Sequence, residues 1–173
     1  MGPTAAGLVL QHPFVLLAPL HGLTLESQPT VYWILTEPLM GEFDIVFRSE
    51  GDATHKTYLL GSREPGLQRE HLADLGIELE SGRRYHWWIV HRGGKSPLVH
   101  IERTQDAELR KRLATASPQD RAREMASRGI WYDALDELTR AIDASPGDER
   151  LQRMRESLLK QAGLPPLRRE DFR

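Results

Sequence analysis

The spacing of the apolar residues changes near residue 103, and this change limits the fold more than any other feature of the sequence. Before that position, apolar residues recur at every second position, as Tyr85, Trp87 and Ile89 do. A period of two is typical of β-strands that bury one face. After that position, apolar residues recur at intervals of three and four, which is typical of helices. The sequence therefore predicts an α+β protein, with the strands first and the helices last.

Short strands separated by turn residues fill the first region. They are predicted at residues 14–18, 30–36, 42–49, 54–60, 84–92 and 98–103, with a tight hairpin turn at residues 93–95. About seven strands in about 95 residues predict an antiparallel β-sandwich of the immunoglobulin-like or fibronectin type III-like class. Trp33 and Trp87 are predicted to fill its core. The hydroxyl of Tyr85 is expected to bond to the backbone upstream of it, as in the corner of such sandwiches.

The second region is predicted to contain helices at residues 106–115, 118–128, 130–144 and 146–162. Ser117 and Ser145 each precede a proline, and both are predicted to be N-caps. A serine oxygen can accept a hydrogen bond from the first helical turn, and proline is favoured as the first helical residue. Gly163 is expected to follow the end of the last helix.

Five residues of the helical region have the spacing of one tetratricopeptide-like hairpin, namely Gly129, Ala134, Leu138, Ala141 and Pro146. The glycine would make the turn, and the small alanines would let two helices approach closely. A single repeat cannot bury its own apolar face. We therefore expect the hairpin to pack on the sandwich, on its flanking helices or on a partner, and we favour packing within the chain.

These patterns predict three parts of the chain. An immunoglobulin-like β-sandwich is predicted over residues 8–103 and a helical region with one repeat-like hairpin over residues 104–163. Residues 164–173 are predicted to form an extended tail.

Composition excludes several functional classes. The 173 residues include no cysteine, so disulfides, thiolate nucleophiles and cysteine-ligated metals are excluded. The net charge of -2 excludes a strongly basic nucleic-acid binder. No segment approaches the roughly 20 apolar residues of a membrane-spanning helix. The apolar run at residues 14–18 lacks the features of a signal peptide, so we expect either a cytoplasmic protein or one whose signal preceded this numbering.

No catalytic motif stands out: there is no Gly-x-Ser-x-Gly, no His-Glu-x-x-His and no phosphate-binding loop. His86, His91 and His100 fall on neighbouring predicted strands, but His86 and His91 should point to opposite faces, so no metal site is predicted. The close pair Glu78 and Glu80 is interpreted as a solvated edge. The sequence therefore predicts no catalytic residues, no metal and no cofactor.

Basic residues recur on the predicted helices, at positions 110–112, 121, 123 and 128. The acids Glu108, Asp120 and Glu124 are interspersed among them. We interpret this pattern as a solvated, salt-bridged face rather than as a surface for nucleic acid.

Aromatic residues at outward positions are the best candidates for binding a partner. Trp88 should point away from the core that Trp87 fills, so it needs cover from the helical region or serves as an anchor for a partner. Trp131 and Tyr132 are adjacent on a predicted helix, so one can face the interior of the hairpin while the other must face outward or toward the sandwich. With Arg128, these three aromatic residues are the predicted partner-binding site.

Three groups of residues resemble a known family. They are Gly22-Leu23-Thr24 with Pro29-Thr30 and the Trp33 strand, residues 79–88 (LESGRRYHWW), and residues 117–121 (SPQDR) followed by 129–135 (GIWYDAL). Over roughly residues 16–165, the chain resembles a mainly cyanobacterial family catalogued as domain of unknown function 928, although residues 61–72 follow its pattern only loosely. The resemblance implies an extracytoplasmic protein, and it supplies no catalytic residues.

We expect a non-catalytic protein-binding accessory subunit or adaptor in a larger complex, and the resemblance implies a cell-envelope assembly. Recognition would use the helical groove or an edge strand that accepts an added strand. The alternative is a carbohydrate- or small-ligand-binding module with Trp88 and Tyr32 as an aromatic platform. Exposed coplanar aromatics would favour that alternative. A hydrolase would instead require a deep pocket with convergent acids and histidines.

Overall fold

The computed structural model describes residues 13–52, 56–92 and 94–167, and this part of the chain contains nine strands and four helices. The strands are β1 (Phe14–Leu16), β2 (His21–Thr24), β3 (Thr30–Leu35), β4 (Phe43–Ser49), β5 (Lys56–Leu60), β6 (Gly66–His71), β7 (Arg84–His91), β8 (Gly94–Lys95) and β9 (Val99–Arg103). The helices are α1 (Ala107–Thr115), α2 (Pro118–Ser127), α3 (Trp131–Ala144) and α4 (Glu149–Gln161). The predicted order of strands before helices is confirmed.

The strands form two sheets. The first sheet has the order β1-β3-β6, and the second has the order β2-β9-β7-β4-β5, with β8 on the end of β7. The strand pairs are antiparallel except for β2 and β9, which are parallel. The prediction of a wholly antiparallel β region is therefore wrong at this pair. After β1, the chain crosses to the other sheet, so no hairpin joins β2 to its neighbour β9. A hairpin would require the two strands to be antiparallel, and without one they can be parallel.

Aromatic side chains fill the space between the two sheets. Phe43 of the second sheet contacts both Phe14 and Trp33 of the first, with ring centroids 6.1 and 6.2 Å apart. Trp87 stacks on Phe47 at 6.0 Å. Trp33 and Trp87 have no exposed surface, so their predicted core positions are confirmed. Each buried side chain of this size stabilises the fold by about 2 to 3 kcal/mol.

The Tyr85 hydroxyl accepts a hydrogen bond from the backbone N–H of Glu80 at 3.1 Å. This is the upstream bond predicted for Tyr85. It ties the start of β7 to the segment that precedes it.

One of the two predicted serine N-caps is confirmed. The Ser117 hydroxyl accepts from the Asp120 N–H at 3.2 Å and caps α2. Ser145 instead ends α3, and the carboxylate of Asp148 caps α4 by accepting from two backbone N–H groups at 2.9 and 3.2 Å. Pro146 and Gly147 therefore lie in the turn between the helices, because Asp148 can satisfy two first-turn donors at once.

Two glycines lie just after helix ends, as predicted. Gly129 lies between α2 and α3 with φ +73°, and Gly163 follows α4 with φ +70°. Both values lie in the left-handed region that favours glycine, so both predicted turns are confirmed. Of the predicted tail, residues 164–167 have no regular structure, and the remainder lies outside the described residues.

The helical region packs on both sheets. Helix α3 contacts β2 through Tyr132, whose ring lies against Gly22, and the Leu23 N–H donates to the Gly129 carbonyl at 3.1 Å. It contacts the first sheet through Asp136, which accepts from the Tyr32 hydroxyl at 2.7 Å. Buried residues of strands and helices form one continuous core. The favoured interpretation that the hairpin packs within the chain is thus confirmed.

In the described ranges, no helix combines the length and the apolar character needed to cross a bilayer.

Candidate functional site

The structure buries two of the predicted partner-binding residues at the start of α3. Trp131 and Tyr132 are 7% and 1% exposed. The Tyr132 hydroxyl accepts from the Trp87 indole N–H at 3.0 Å and donates to the His100 carbonyl at 3.1 Å. Burial raises the pKa of Tyr132, so its hydroxyl stays protonated as the second bond requires. Tyr132 therefore joins α3 to the second sheet.

Trp88 lies on the outer face of the second sheet and is also largely covered. The Lys95 ammonium lies 4.3 Å from its ring centroid, and the Arg48 guanidinium lies 5.8 Å away. The expected cover from the helical region is thus replaced by two cations, which are attracted to the electron-rich face of an indole. Arg128 is exposed at the end of α2 and pairs with Glu124 at 3.0 Å. The structure does not bring these residues into one surface, and their partner-binding role stays a prediction.

The aromatic platform of the alternative function is not assembled. Tyr32 lies in the first sheet and Trp88 in the second. Tyr32 is 1% exposed and is hydrogen-bonded to Asp136 of α3. Burial and the neighbouring carboxylate raise the pKa of Tyr32.

Three histidines form a row across the second sheet. The sequence placed two of them, His86 and His100, on neighbouring strands, but it gave no place to His21. His21, His100 and His86 pair in register on β2, β9 and β7, with ring centroids 4.5 and 4.3 Å apart. The pKa of His86 and that of His100 are lowered, mainly by burial, so both rings are uncharged at neutral pH. His91 lies in the other alternation of β7, as expected. In the described part of the chain, no cluster of ligating side chains has the arrangement of a metal site.

Ion pairs occupy the basic residues of the helices, as predicted. Lys111 pairs with Glu108 at 2.8 Å, Arg112 with Glu124 at 2.9 Å, and Arg123 with Asp120 at 2.9 Å. These pairs are exposed to solvent, which screens them, so they contribute little to stability. Among the described residues, the basic positions Arg110, Arg121 and Arg128 pair with acids as well.

A groove of about 740 Å³ lies where the first sheet meets the helices, and we call it the charged groove. Its lining comes from the segment between β2 and β3, from the ends of β3 and β6, and from α1, α2 and α3. It has six acidic side chains, Glu26, Glu70, Asp74, Asp133, Asp136 and Glu137. It also has four arginines, Arg69, Arg110, Arg121 and Arg140, together with His71.

The lining acids on α3 are held in place by neighbouring donors. Asp136 accepts from Tyr32 at 2.7 Å and pairs with Arg140 at 3.3 Å. Glu137 pairs with Arg121 at 2.5 Å. These contacts fix the direction of each carboxylate on one side of the groove.

Asp133 is the most perturbed acid of the groove. Its carboxylate accepts from the Thr24 hydroxyl at 2.5 Å and from the Leu25 N–H at 2.7 Å. Burial raises its pKa to about 6, and the two hydrogen bonds oppose this rise. Asp133 is therefore mostly ionised at neutral pH, although its carboxylate has no cation within ion-pair distance among the described residues.

The charge of the groove is unbalanced toward negative. Its arginines are all engaged: Arg69 with Asp143, Arg110 with Glu26, Arg121 with Glu137 and Arg140 with Asp136. In contrast, the described residues place no cation within ion-pair distance of Asp74 or Asp133. A ligand that brings positive charge would therefore meet carboxylates without an arginine partner.

Sequence reasoning did not find this groove. One signal was available, because Asp133, Asp136, Glu137 and Arg140 have the spacing of a single helix face. That stripe is polar on a helix whose other residues are largely buried. The opposite lining comes from a sheet about 65 residues earlier, and no local pattern connects the two.

The comparisons with known proteins identify one family. The family model described as Domain of Unknown Function (DUF928) matches residues 9–172. No curated protein matches the chain. A solved structure described as "Myokine structure" is 10% identical, and the match covers 54% of this chain and 95% of that chain with a TM-score of 0.32. A similarity of that size does not bear on the fold or the function.

Proposed function

The chain belongs to the DUF928 family, and we propose that it is a non-catalytic protein-binding adaptor or accessory subunit. The charged groove is the observation that carries this proposal. It is open to solvent, its volume of about 740 Å³ suits a short segment of another protein, and its lining combines apolar and charged side chains. Sites of this size usually fix a ligand by a few directed polar groups.

The arrangement of the acids favours binding over catalysis. Acids and His71 line the groove, as a hydrolase would require. Asp136 and Glu137 are engaged by Tyr32, Arg140 and Arg121, however, so their carboxylates serve the structure of the groove.

We also propose the finer classification of the two regions. The bond between Tyr85 and the Glu80 backbone supports an immunoglobulin-like or fibronectin type III-like β region. The left-handed Gly129 and the buried Ala134 support a tetratricopeptide-like hairpin of α2 and α3. The proposed partner belongs to a cell-envelope assembly, and this part rests on the family resemblance alone.

Site-directed photocrosslinking in the native source tests the proposal. A photoreactive amino acid replaces Asp74 inside the groove or, as the matched control, Glu78 outside it; both positions are exposed. We expect a discrete crosslinked species from position 74 and none from position 78. The captured protein is then purified and its affinity is measured for the wild-type chain, Asp74→Lys and Glu78→Lys.

Weaker binding by Asp74→Lys alone would support the proposal. Equal binding by all three chains, or crosslinking only from position 78, would contradict the groove as the binding site. Fractionation of cells that contain the crosslinked species locates the complex. Its recovery from the cytoplasmic fraction would refute the cell-envelope part of the proposal.

A further inference from the structure

Strand β6 has a free edge. It is the last strand of the first sheet and pairs only with β3. In the parts of the chain that the structure describes, no hydrogen bond reaches the backbone of Arg69, the middle of the strand, from its outer side. An open edge of this kind is a template for an added strand.

The hydrogen-bond register shows which backbone groups are available. In an antiparallel pair, hydrogen-bonded residue pairs alternate with non-bonded pairs. The Leu72 N–H donates to the Pro29 carbonyl at 3.0 Å, and this pair continues the register of β3 and β6. Every second residue before Leu72 is therefore bonded to β3, which makes Glu70 and Gln68 the bonded positions of β6. The N–H and carbonyl of Arg69 therefore point away from β3, as does the N–H of His71.

This edge borders the charged groove. Arg69, Glu70 and His71 are consecutive, and all three line the groove. Consecutive side chains of a strand point to opposite faces, so a groove lined by all three extends around the end of β6 from one face of the strand to the other. A segment in the groove would thus lie within reach of the outward backbone groups of β6.

Two other edges, those of β2 and β5, are less suited to the same role. The edge of β2 is covered by the turn between α2 and α3, because the Leu23 N–H already donates to Gly129. The edge strand β5 of the second sheet contributes no residue to the charged groove. Of these edges, that of β6 combines open backbone groups with a lined cavity.

We propose that an extended segment of a partner protein, with lysine or arginine at alternate positions, adds as a strand to β6 along the charged groove. The backbone of Arg69 and His71 supplies the main-chain bonds, and the unbalanced carboxylates of Asp74 and Asp133 select the basic side chains. Alternate side chains of an added strand face the same side, so a period of two brings each basic residue to the same wall. This inference rests on the proposed protein-binding function and names its mode and partner chemistry.

Three synthetic peptides test the inference with the full chain. The first alternates lysine with threonine over nine residues, the second replaces each lysine by glutamate, and the third replaces each threonine by proline. We expect the first to bind at least about tenfold more tightly than either of the others. The glutamate peptide meets like charge, whereas the proline peptide keeps the lysines but cannot complete a ladder of hydrogen bonds. Equal binding of the lysine–threonine and lysine–proline peptides would overturn strand addition.

Amide hydrogen exchange of the wild-type chain supplies a test that needs no variant. The N–H groups of Arg69 and His71 should exchange rapidly in the free chain and become protected in the complex with the lysine–threonine peptide. A complex that leaves both amides unprotected would refute the proposal. The amide of Glu70 serves as the internal reference, since it already donates within the sheet.

A pair of variants isolates the backbone bond. Arg69→Pro removes the outward N–H, which an edge strand tolerates, and Arg69→Ala removes the same side chain but keeps the N–H. We expect Arg69→Pro to bind the lysine–threonine peptide about fivefold more weakly than Arg69→Ala, with similar thermal midpoints. Identical affinities of the two variants would count against strand addition. A partner captured from position 74 that binds without protecting the β6 amides would overturn this mode while leaving the protein-binding function in place.

Discussion

Gly22→Ala is the sharpest test of how the helical region joins the sheets. A β-carbon at this position would lie 2.6 Å from Cε2 and 3.1 Å from Cδ2 of Tyr132, and 3.2 Å from Cγ of Pro19. Contacts below 3.0 Å do not persist, so either the Tyr132 ring or β2 must move. The ring is not free to move, because its hydroxyl bonds both to the Trp87 indole and to the His100 carbonyl.

The expected cost follows from these contacts. Forcing one extra methyl group into a packed site costs about 1 to 3 kcal/mol. If the ring yields, the buried Trp87 N–H loses its acceptor, which costs about 1 to 3 kcal/mol more. We therefore expect Gly22→Ala to lower the free energy of unfolding by about 2 to 4 kcal/mol, a large part of the stability of a typical domain.

Urea unfolding, followed by tryptophan fluorescence, measures this change. Gly61→Ala is the matched control, because nothing lies within 4 Å of its added β-carbon and its φ is not in the left-handed region. The second variant, Tyr132→Leu, removes the clashing ring edge, so the double variant should lose less stability than the sum of the two single changes. A Gly22→Ala protein within about 0.5 kcal/mol of the wild type would refute the assigned packing of α3 on β2.

Four further predictions follow from single groups. Tyr132→Phe should cost about 1 to 3 kcal/mol in urea unfolding, because it leaves a buried indole N–H without an acceptor. In thermal unfolding, Asp148→Ala should lower the free energy of unfolding by about 1 kcal/mol and Ser145→Ala by less, because only the aspartate accepts hydrogen bonds from the first turn of α4. The reverse order of the two variants would contradict the assignment of Asp148 as the N-cap. The pKa of His100 is lowered from 6.5, so the unfolded chain protonates first and stability should fall as the pH falls through 6.5. His100→Gln should flatten this fall, and an unchanged profile would exclude His100 as its source. The pKa of Asp133 is raised from 3.8 to about 6, so the free energy of unfolding should fall, by at most about 3 kcal/mol, as the pH rises from 4 through 6. Asp133→Asn should remove that loss. A variant that keeps the same loss would refute Asp133 as its source.

The sequence predicts the elements whose burial leaves a strong pattern. Helix α3 has a wide apolar stripe, and β7 alternates large aromatic residues, so their predicted bounds lie within one residue of the observed ones. Strand β6 reads GLQREH, without apolar alternation, and it escaped prediction. An edge strand has one face and one edge partly open to solvent, so little burial is left to shape its sequence.

The candidate site escaped prediction for a related reason. Its residues lie on five separate stretches of the chain, and each stretch alone looks like a solvated surface. For Trp131 and Tyr132, the sequence left two possibilities open: one of them faces outward, or it faces the sandwich. The structure buries both residues and bonds Tyr132 to Trp87 of the second sheet, because α3 starts between a sheet edge and its neighbouring helix.

Helix α3 explains why a groove remains open beside a continuous core. Its apolar side joins the core through Ala134, Leu135 and Leu138, while the stripe of Asp133 and Asp136 on its other side cannot be buried without donors. Thr24 and Tyr32 supply donors from the β region, so the stripe is stabilised at the junction of the two regions rather than in bulk solvent. The β6 side of the groove has no such structural role at its outer edge. Changes on that side should therefore alter binding with little loss of stability, whereas changes on the α3 side should alter both.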